Sequence, residues 1–500
     1  MMSYSAARNR ERLYGIAAGV ALAALLLYRL AVVFSYAPEL MGIDNNFVYA
    51  VTRGLAGQSI YPNPEAFPFA INVYAPLYFQ VCIAAGKLLG IGAGDGIGVY
   101  WLCRAVALLC DISSCVLLYR ILTRALGLQV APALLGLAGF ASILCYLAYT
   151  FSRSDALFVT CYIALIATFF RQPGSGFARS VLAPAALCVA CIFAKQNGII
   201  APALAGLWFL FFEPRKTPAF VIVFLLLFFV VFLLFTLLPG YSYLLPSTVT
   251  GVRNRIDPSW FYTDIFKRLV NSQLLLPLVA GGVFALGLAR RDKPGRFWAL
   301  CWAAQALFST ALAFKWGSSL GYYYESLVLS MITAILFLRG RAPGERTLLR
   351  KYTVLALPVL LVFVLHVLVE GGLYYLHQRA AKRQYYEEQV AVTQYLQRHP
   401  GTGHVFNLHN PNRDFFKTLL HRELAAPTFD TIDCCLLPDG NFDYSALKSE
   451  LANGSIRYLI LPKGEVPTAL WGVSLHGYQK DTTLYRYDLY KFTGVPFTGR

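Results

Sequence analysis

Three consecutive polar residues, Asp44, Asn45 and Asn46, are the residues of this sequence best suited to chemistry. They follow the first long apolar segment by ten residues, in a loop that is too polar for a membrane interior. A carboxylate at a membrane face could act as a general base toward a substrate carried by a lipid. The alternative is structural, because Asp is a good N-cap and apolar residues begin at Phe47. Asp44 is therefore a candidate for a catalytic base or for a helix cap.

Other charged and aromatic residues lie near the predicted outer ends of apolar segments. They are candidates for substrate binding: Arg53, Tyr61, Arg153, Asp155, Lys195, Arg253, Arg255, Lys315 and Glu325. Several have a structural alternative: a helix cap by Ser152, Ser154 or Asp155, snorkelling for Lys195, and a solvated loop for Arg253 and Arg255. An interfacial aromatic belt would explain the surroundings of Lys315 and Glu325. Because these polar residues all fall near the same membrane face, we expect a functional site at that face.

Long apolar segments must position these residues. The chain is 57% hydrophobic and only 14% charged, with a mean hydropathy of +0.54. Its apolar runs have the length needed to cross about 30 Å of hydrocarbon. This pattern predicts a polytopic α-helical membrane protein with about eleven transmembrane helices, near 13–34, 97–118, 130–150, 155–171, 180–196, 197–213, 218–238, 272–290, 297–314, 321–338 and 352–370.

Basic residues predict the orientation. Under the positive-inside rule, clusters such as Arg120 with Arg124 and Arg290 with Arg291 should lie in cytoplasmic loops. The sequence has six such clusters. All six lie in cytoplasmic loops, and the N-terminus is cytoplasmic, if the apolar stretch 74–92 is an interfacial or re-entrant segment that does not cross the membrane. The net charge of +17 then suits anionic lipid headgroups, and no nucleic-acid motif is present. Arg104 and Asp111, about two turns apart, are predicted to form a structural pair.

The outer side would carry a first loop at 35–96 and a soluble tail. We predict a transmembrane domain at 1–370 and a small extracytoplasmic α/β domain at 371–500. The tail's pattern predicts helix 378–399, strand 404–408, helices 412–421 and 443–452, strand 456–461 and a last strand near 484–492. The adjacent cysteines Cys434 and Cys435 do not have the spacing of a disulfide framework or a metal site.

Several motifs together resemble those of membrane glycosyltransferases of the C-type fold (GT-C). They are GIDNNFVYAVTRGLAGQSIY, YAPLYFQVCIAAGKLLG, a helix opening near Arg104, FSRSDALFV, AKQNG and GYYYES, over residues 10 to 335. They look similar to those of bacterial relatives of protein O-mannosyltransferases and of aminoarabinose transferases. The resemblance implies that Asp44 is the catalytic base or positions the acceptor, with Tyr49 and the segment 57–61 matching the residues that follow it. Two departures are Asn45, where many relatives have an acid, and Val73 with Tyr74, where several have Lys or His.

The resemblance implies an inverting transfer of one sugar, hexosyl or pentosyl, from a polyprenyl-phosphate carrier to a glycan, lipid or protein acceptor outside the cytoplasmic (inner) membrane. Lys195 and Arg153 would hold phosphate, and Asp155 would orient the acceptor or the base. Asn45 counts against a two-carboxylate site for a divalent metal, and no other cofactor is implied. Two other functions stay open at this point: a polysaccharide ligase or polymerase, and a transporter of lipid-linked sugar.

Overall fold

The computed structural model describes residues 4–40, 43–171, 176–251, 255–339, 362–369, 377–399, 403–408, 414–427 and 442–494. Their contacts divide the chain into two compact units. The first unit comprises Met1–Val33, Ala107–Phe232 and Asn254–Tyr374, and the second comprises Phe34–Val106, Leu233–Arg253 and Tyr375–Arg500. The predicted first outer loop and the tail therefore belong to the same compact unit. The predicted domain boundary near residue 370 stays a prediction.

The described residues are mostly helical. The α-helices are α1 Tyr4–Val33, α2 Asp44–Leu55, α3 Leu77–Leu89, α4 Gly96–Arg120, α5 Val130–Leu147, α6 Asp155–Phe169, α7 Ala183–Ala194, α8 Ile200–Phe212, α9 Thr217–Leu237, α10 Pro258–Trp260, α11 Lys267–Asn271, α12 Leu275–Ala289, α13 Lys293–Ala313, α14 Tyr324–Arg339, α15 Arg379–Arg398, α16 Phe416–Leu419 and α17 Ser445–Asn453. A 3₁₀ turn at Gln196–Ile199 separates α7 from α8, and another at Leu320–Tyr323 precedes α14.

Five of these helical segments are long and apolar enough to cross a membrane, namely Glu11–Val33, Gly96–Ala125, Val130–Leu147, Pro214–Leu237 and Leu320–Arg339. A sixth span results if the bent pair Pro258–Asn271 and Leu275–Ala289 is counted as one. The chain is therefore a multi-pass membrane protein, as predicted. The predicted spans near 155–171, 180–196 and 197–213 are helical but shorter, and 352–370 lies largely outside the described residues, so the count of eleven stays a prediction.

The apolar stretch 74–92 contains a single short helix, α3, of 13 residues. At 1.5 Å per residue α3 is about 20 Å long, which is less than the roughly 30 Å of a hydrocarbon core. Its length suits the predicted interfacial or re-entrant segment better than a complete crossing.

The tail forms a five-stranded sheet in the order β2-β1-β3-β7-β6. Its strands are β1 His404–Asn407, β2 Leu424–Ala425, β3 Ile456–Pro462, β6 Tyr478–Leu484 and β7 Tyr487–Phe492, and a separate two-stranded ribbon joins β4 Ala469–Leu470 to β5 Val473–Ser474. β1 is parallel to β2 and β3, whereas β7 is antiparallel to both of its neighbours. The α/β fold predicted for the tail is present.

Both faces of this sheet are covered. On one face α15 packs Val392 and Leu396 into a core with Leu489. On the other face the outer loop contributes Phe69 and Ile71 to a core with residues of the tail. The outer loop is thus built into the hydrophobic core of the second unit, and this fixes the segment that follows α2.

Candidate functional site

The second unit places Asp44 in the first turn of α2. Ile43 occupies the N-cap position with a left-handed φ of 54°, and no side chain caps the helix there. Asp44 is 1% exposed, and its Oδ2 accepts a hydrogen bond from the backbone N–H of Leu40 at 2.8 Å. The carboxylate is therefore directed to the preceding loop and does not act as an N-cap.

A second carboxyl group, that of Glu39, lies beside Asp44. The backbone N–H of Asp44 donates to Glu39 Oε1 at 2.9 Å. Burial, and next the negative charge of Asp44, raise the pKa of Glu39 well above its ordinary value. The sequence predicts no role for Glu39. Its one sequence signal is its position in the same loop, five residues before Asp44.

The two asparagines bind the tail. Tyr100 donates its hydroxyl hydrogen to Asn45 Oδ1, and Asn45 Nδ2 donates to the backbone carbonyl of Asp414 at 3.3 Å. Lys417 is fully buried, and its Nζ donates to Asn46 Oδ1 at 3.0 Å. Positions about 370 residues apart in sequence thus fix the first turn of α2, and nothing in the sequence indicated this pairing.

The charge of Lys417 also acts on two buried acids of the second unit. It favours the ionised forms of Glu39 and Asp414, but burial outweighs this effect and the pKa of each carboxyl is raised. Asp414 is further bound by the side-chain amide of Asn407 and by the N–H of Phe416. The carboxylate-rich turn around Asp44 is therefore partly neutralised by one lysine from the tail.

Arg53 and Tyr61, both predicted to bind substrate, are held by protein groups. Arg53 is buried, donates Nε–H to the Ser59 carbonyl at 2.7 Å and contacts the Tyr49 hydroxyl at 3.3 Å. Tyr61 is fully buried and donates to the Tyr74 carbonyl. These contacts give both residues a structural role in the outer loop, and a role in substrate binding stays a prediction.

The first unit brings together three of the predicted site residues at the start of α6. Asp155 Oδ1 accepts a hydrogen bond from Lys195 Nζ at 2.6 Å, and Asp155 Oδ2 lies 3.4 Å from Arg153 Nε. The Asp155 side chain is almost fully buried, so the pair of cations compensates a carboxylate that water does not reach. The N-cap of α6 is Ser154, which forms no side-chain cap, and Asp155 is used for ion pairing.

Aromatic rings and a second acid complete this cluster. Lys195 Nζ lies 4.8 Å from the centroid of the Tyr322 ring, and the Arg153 guanidinium lies 5.2 Å from that of Tyr149. Glu325, in the first turn of α14, is 3% exposed, and among the described residues its Oε1 has no hydrogen-bond partner. The cluster thus has two cations, one paired carboxylate and one buried acid with an oxygen still able to accept a hydrogen bond.

Three further cations were predicted to bind substrate, namely Lys315, Arg255 and Arg253. Lys315 follows α13 at a bridge with Ile256, and burial lowers the pKa of its ammonium group. Arg255 is mostly exposed and lies 3.5 Å from Asp257, which agrees with the solvated-loop alternative. Arg253 lies outside the described residues.

The predicted pairing of Arg104 with Asp111 is wrong. Asp111 pairs with Arg29 at 2.7 Å, and Arg104 donates to the backbone carbonyls of Ser35 and Ala37. Spacing on one helix face could not reveal these partners, because both come from other segments of the chain.

In the part of the chain that the structure describes, no three His, Cys, Asp or Glu side chains are grouped in a way that could hold a metal ion. Glu39 and Asp44 form a pair of acids only. Elsewhere in the two units, Asp44 supplies a buried carboxylate and the cluster at Asp155 supplies two cations.

Comparison with solved structures identifies the fold. ArnT from Cupriavidus metallidurans bound to undecaprenyl phosphate aligns with 95% of this chain and 97% of its own, with a TM-score of 0.59 and 15% identity. Archaeoglobus fulgidus AglB, an oligosaccharyltransferase in complex with an inhibitory peptide and a dolichol-phosphate, aligns with 88% of this chain and 69% of its own, with a TM-score of 0.50 and 13% identity. The mycobacterial arabinofuranosyltransferase AftD aligns with 96% of this chain and 41% of its own, with a TM-score of 0.51 and 14% identity. No family model and no curated protein sequence matches the chain.

Proposed function

We propose that the chain transfers one sugar, hexosyl or pentosyl, from a polyprenyl-phosphate carrier to a glycan, lipid or protein acceptor. It has the GT-C fold that its sequence motifs indicated, since membrane glycosyltransferases share its architecture. The likeness to ArnT along nearly the whole of both chains, in a structure bound to undecaprenyl phosphate, supports a carrier of this class. In this proposal the reaction takes place at the outer face of the inner membrane and serves glycan biosynthesis in the cell envelope.

The observation that carries the proposal is the environment of Asp44. Its carboxylate is buried, does not cap the helix and accepts a hydrogen bond from the Leu40 N–H. Lys417 of the tail and Glu39 of the outer loop add one positive charge and one acid to its surroundings. A base held in one orientation suits proton abstraction, and a positioned base contributes about 10²- to 10⁴-fold to the rate.

The step is a single displacement at the anomeric carbon. The acceptor oxygen forms the new C–O bond as its proton passes to Asp44, and the bond between the anomeric carbon and the carrier phosphate breaks. The configuration inverts, and the polyprenyl phosphate leaves with the bonding electron pair. In this scheme Lys195 and Arg153 stabilise the charge on the departing phosphate. Asp155 holds those two cations and orients the acceptor or the base.

The experiment is a transfer assay with the purified full-length protein. It measures polyprenyl phosphate released from a defined set of polyprenyl-phosphate sugars, in the presence of lipid, glycan and peptide acceptors. Stoichiometric formation of glycosylated acceptor and free carrier supports the proposal. Binding of the donors without transfer to any acceptor, together with movement of the intact lipid-linked sugar across proteoliposomes, would contradict it and favour the transporter.

A further inference from the structure

A cleft in the first unit lies between α1, α4 and α5, and none of the candidate site residues described above lines it. Its volume is about 500 Å³, which is within the range of about 300 to 1,000 Å³ for pockets that bind small molecules. The lining is largely aliphatic, with Leu22, Leu25, Leu137 and Leu144 among its side chains. A hydrocarbon chain matches this lining because burial of apolar surface is favourable and needs no hydrogen-bond partner.

The cleft has an apolar rim. Leu26 on α1, and Ile112 and Val116 on α4, line the cleft and are exposed at the surface of the unit. Both helices belong to segments that are long and apolar enough to span a membrane. A rim of this kind on spanning helices would lie in bilayer hydrocarbon, so that a lipid chain could enter sideways.

The two ends of the cleft differ in charge. At one end Arg29 and Asp111 form an ion pair at 2.7 Å, and the Arg29 guanidinium also lies 3.7 Å from the centroid of the Phe151 ring. This end is neutral overall. At the other end Arg120 and Arg124 are exposed, and in the ranges that the structure describes no acidic side chain lies within ion-pair distance of either. That end carries two positive charges.

The distance between the ends is set by α4. Asp111 and Arg120 are nine residues apart on one helix, which corresponds to about 14 Å at 1.5 Å per residue. An apolar cleft of this length, neutral at the deep end and cationic at the mouth, is complementary to a lipid with one hydrocarbon chain in the cleft and an anionic head at the mouth. Arginine side chains bind phosphate oxygens with paired hydrogen bonds, and basic residues at the ends of spanning helices attract anionic headgroups.

We propose that this cleft binds an anionic phospholipid of the bilayer, with the phosphate at Arg120 and Arg124 and one acyl chain between α1, α4 and α5. The lipid acts as a bound structural partner of the first unit. Its site is separate from the carrier phosphate site proposed at Lys195 and Arg153, so failure of either proposal leaves the other intact.

Native mass spectrometry of the full-length protein, titrated with phosphatidylglycerol and with phosphatidylcholine of identical acyl chains, tests the proposal. The wild-type protein should bind phosphatidylglycerol on the order of tenfold more tightly, because each arginine near an anionic headgroup adds a modest electrostatic attraction. The double variant Arg120→Gln/Arg124→Gln should lose this preference. Ala141→Phe, which fills the cleft from α5, should weaken binding of both lipids at an unchanged headgroup preference.

The matched control is Arg215→Gln/Arg296→Gln, which removes two exposed arginines that do not line the cleft. It should keep the wild-type preference, and melting temperatures of all variants show whether they are folded. A preference for phosphatidylglycerol that survives in Arg120→Gln/Arg124→Gln would overturn the headgroup assignment. Unchanged lipid binding in Ala141→Phe would overturn the chain assignment, and displacement of phosphatidylglycerol by equimolar undecaprenyl phosphate would show that the occupant is a polyprenyl lipid.

Discussion

At the residue scale, both units hold buried acids beside cations. In the second unit Glu39 and Asp44 are neighbouring acids, and the nearby cation Lys417 comes from the tail. In the first unit Asp155 is compensated by Lys195 and Arg153. Removal of one charged partner leaves the other charge buried and uncompensated. A substitution that keeps the shape of the side chain but removes its charge therefore tests each group.

The first prediction concerns Glu39 and pH. Because the folded-state pKa of Glu39 is raised above its unfolded value, this residue adds stability at low pH that is lost as the pH rises through the folded-state pKa. Glu39→Gln keeps an oxygen that can accept from the Asp44 N–H but cannot ionise. Melting temperatures measured from about pH 5 to 9 should therefore fall less steeply in Glu39→Gln than in the wild type. Parallel curves would show that folding does not raise the pKa of Glu39.

The second prediction concerns Lys195. Lys195→Met keeps most of the apolar stem and removes the charge that pairs with Asp155. We expect a marked fall in kcat/KM for the polyprenyl-phosphate donor with little change in acceptor affinity, because the cation acts on the leaving phosphate. Arg153→Gln should have a similar or smaller effect.

Lys216→Met is the matched control for Lys195→Met. Lys216 also pairs with a carboxylate, that of Glu213 at 3.1 Å, but it lies beyond the opposite end of α8. Lys216→Met should leave donor kinetics unchanged. If Lys195→Met binds and turns over donor normally, the phosphate role would move to Arg253, Arg255 or Lys315.

At the scale of elements, the tail and the outer loop position α2. The sheet buries outer-loop residues in its core, and Lys417 reaches Asn46 from α16. Lys417→Met should lower kcat while the KM of the donor stays near the wild-type value, since a positioning residue acts through the turn that carries Asp44. It should also cost stability, by about 1 to 3 kcal/mol, because the buried Asn46 Oδ1 loses a hydrogen-bond donor.

Lys448→Met is the corresponding control, because Lys448 is an exposed residue of α17 in the same unit. It should change neither kcat nor melting temperature. A Lys417→Met variant with reduced stability and normal kcat below its melting temperature would confine Lys417 to a structural role.

Sequence patterns predicted some elements of the tail and missed others for physical reasons. The helix at 378–399 and the strands at 404–408 and 456–461 were found as α15, β1 and β3 because their apolar residues recur with clear periods or in buried runs. β6 was missed because its sequence, YQKDTTL, is polar, as suits a strand at the edge of the sheet. The helix predicted at 412–421 is only the short α16 within the described residues.

The candidate site shows the same division. Residue type and position at the ends of apolar segments predicted Asp44, Asp155 and Lys195 as site residues, and in the structure Asp155 and Lys195 are paired. Lys417 could not, because an isolated lysine in a soluble tail is ordinarily solvated, and only the packing of the second unit brings it to Asn46. The partner of Asp111 was mispredicted for the same reason, since contacts between distant segments have no local signature.

At the scale of the whole molecule, topology decides which face carries the chemistry. The six basic clusters become cytoplasmic only if 74–92 does not cross, and α3 is short enough for that. Reporter fusions after Arg124 and after Asp155 should therefore read cytoplasmic and extracytoplasmic, respectively. The reverse pair of signals would place the site residues on the inner face and contradict the proposed location of transfer.

The most direct test of glycosyltransfer is the activity of Asp44→Asn in the assay with polyprenyl-phosphate donors. The substitution keeps the size of the side chain and an oxygen able to accept from the Leu40 N–H, but it removes the proton-accepting charge. Asp95→Asn is the matched control, because Asp95 is exposed and accepts from the Gly98 N–H at the start of α4, a capping role that Asn fills equally well. Our account predicts that Asp44→Asn lowers transfer by about 10²- to 10⁴-fold at a nearly unchanged melting temperature, while Asp95→Asn remains active. Transfer near the wild-type rate in a folded Asp44→Asn protein would contradict it.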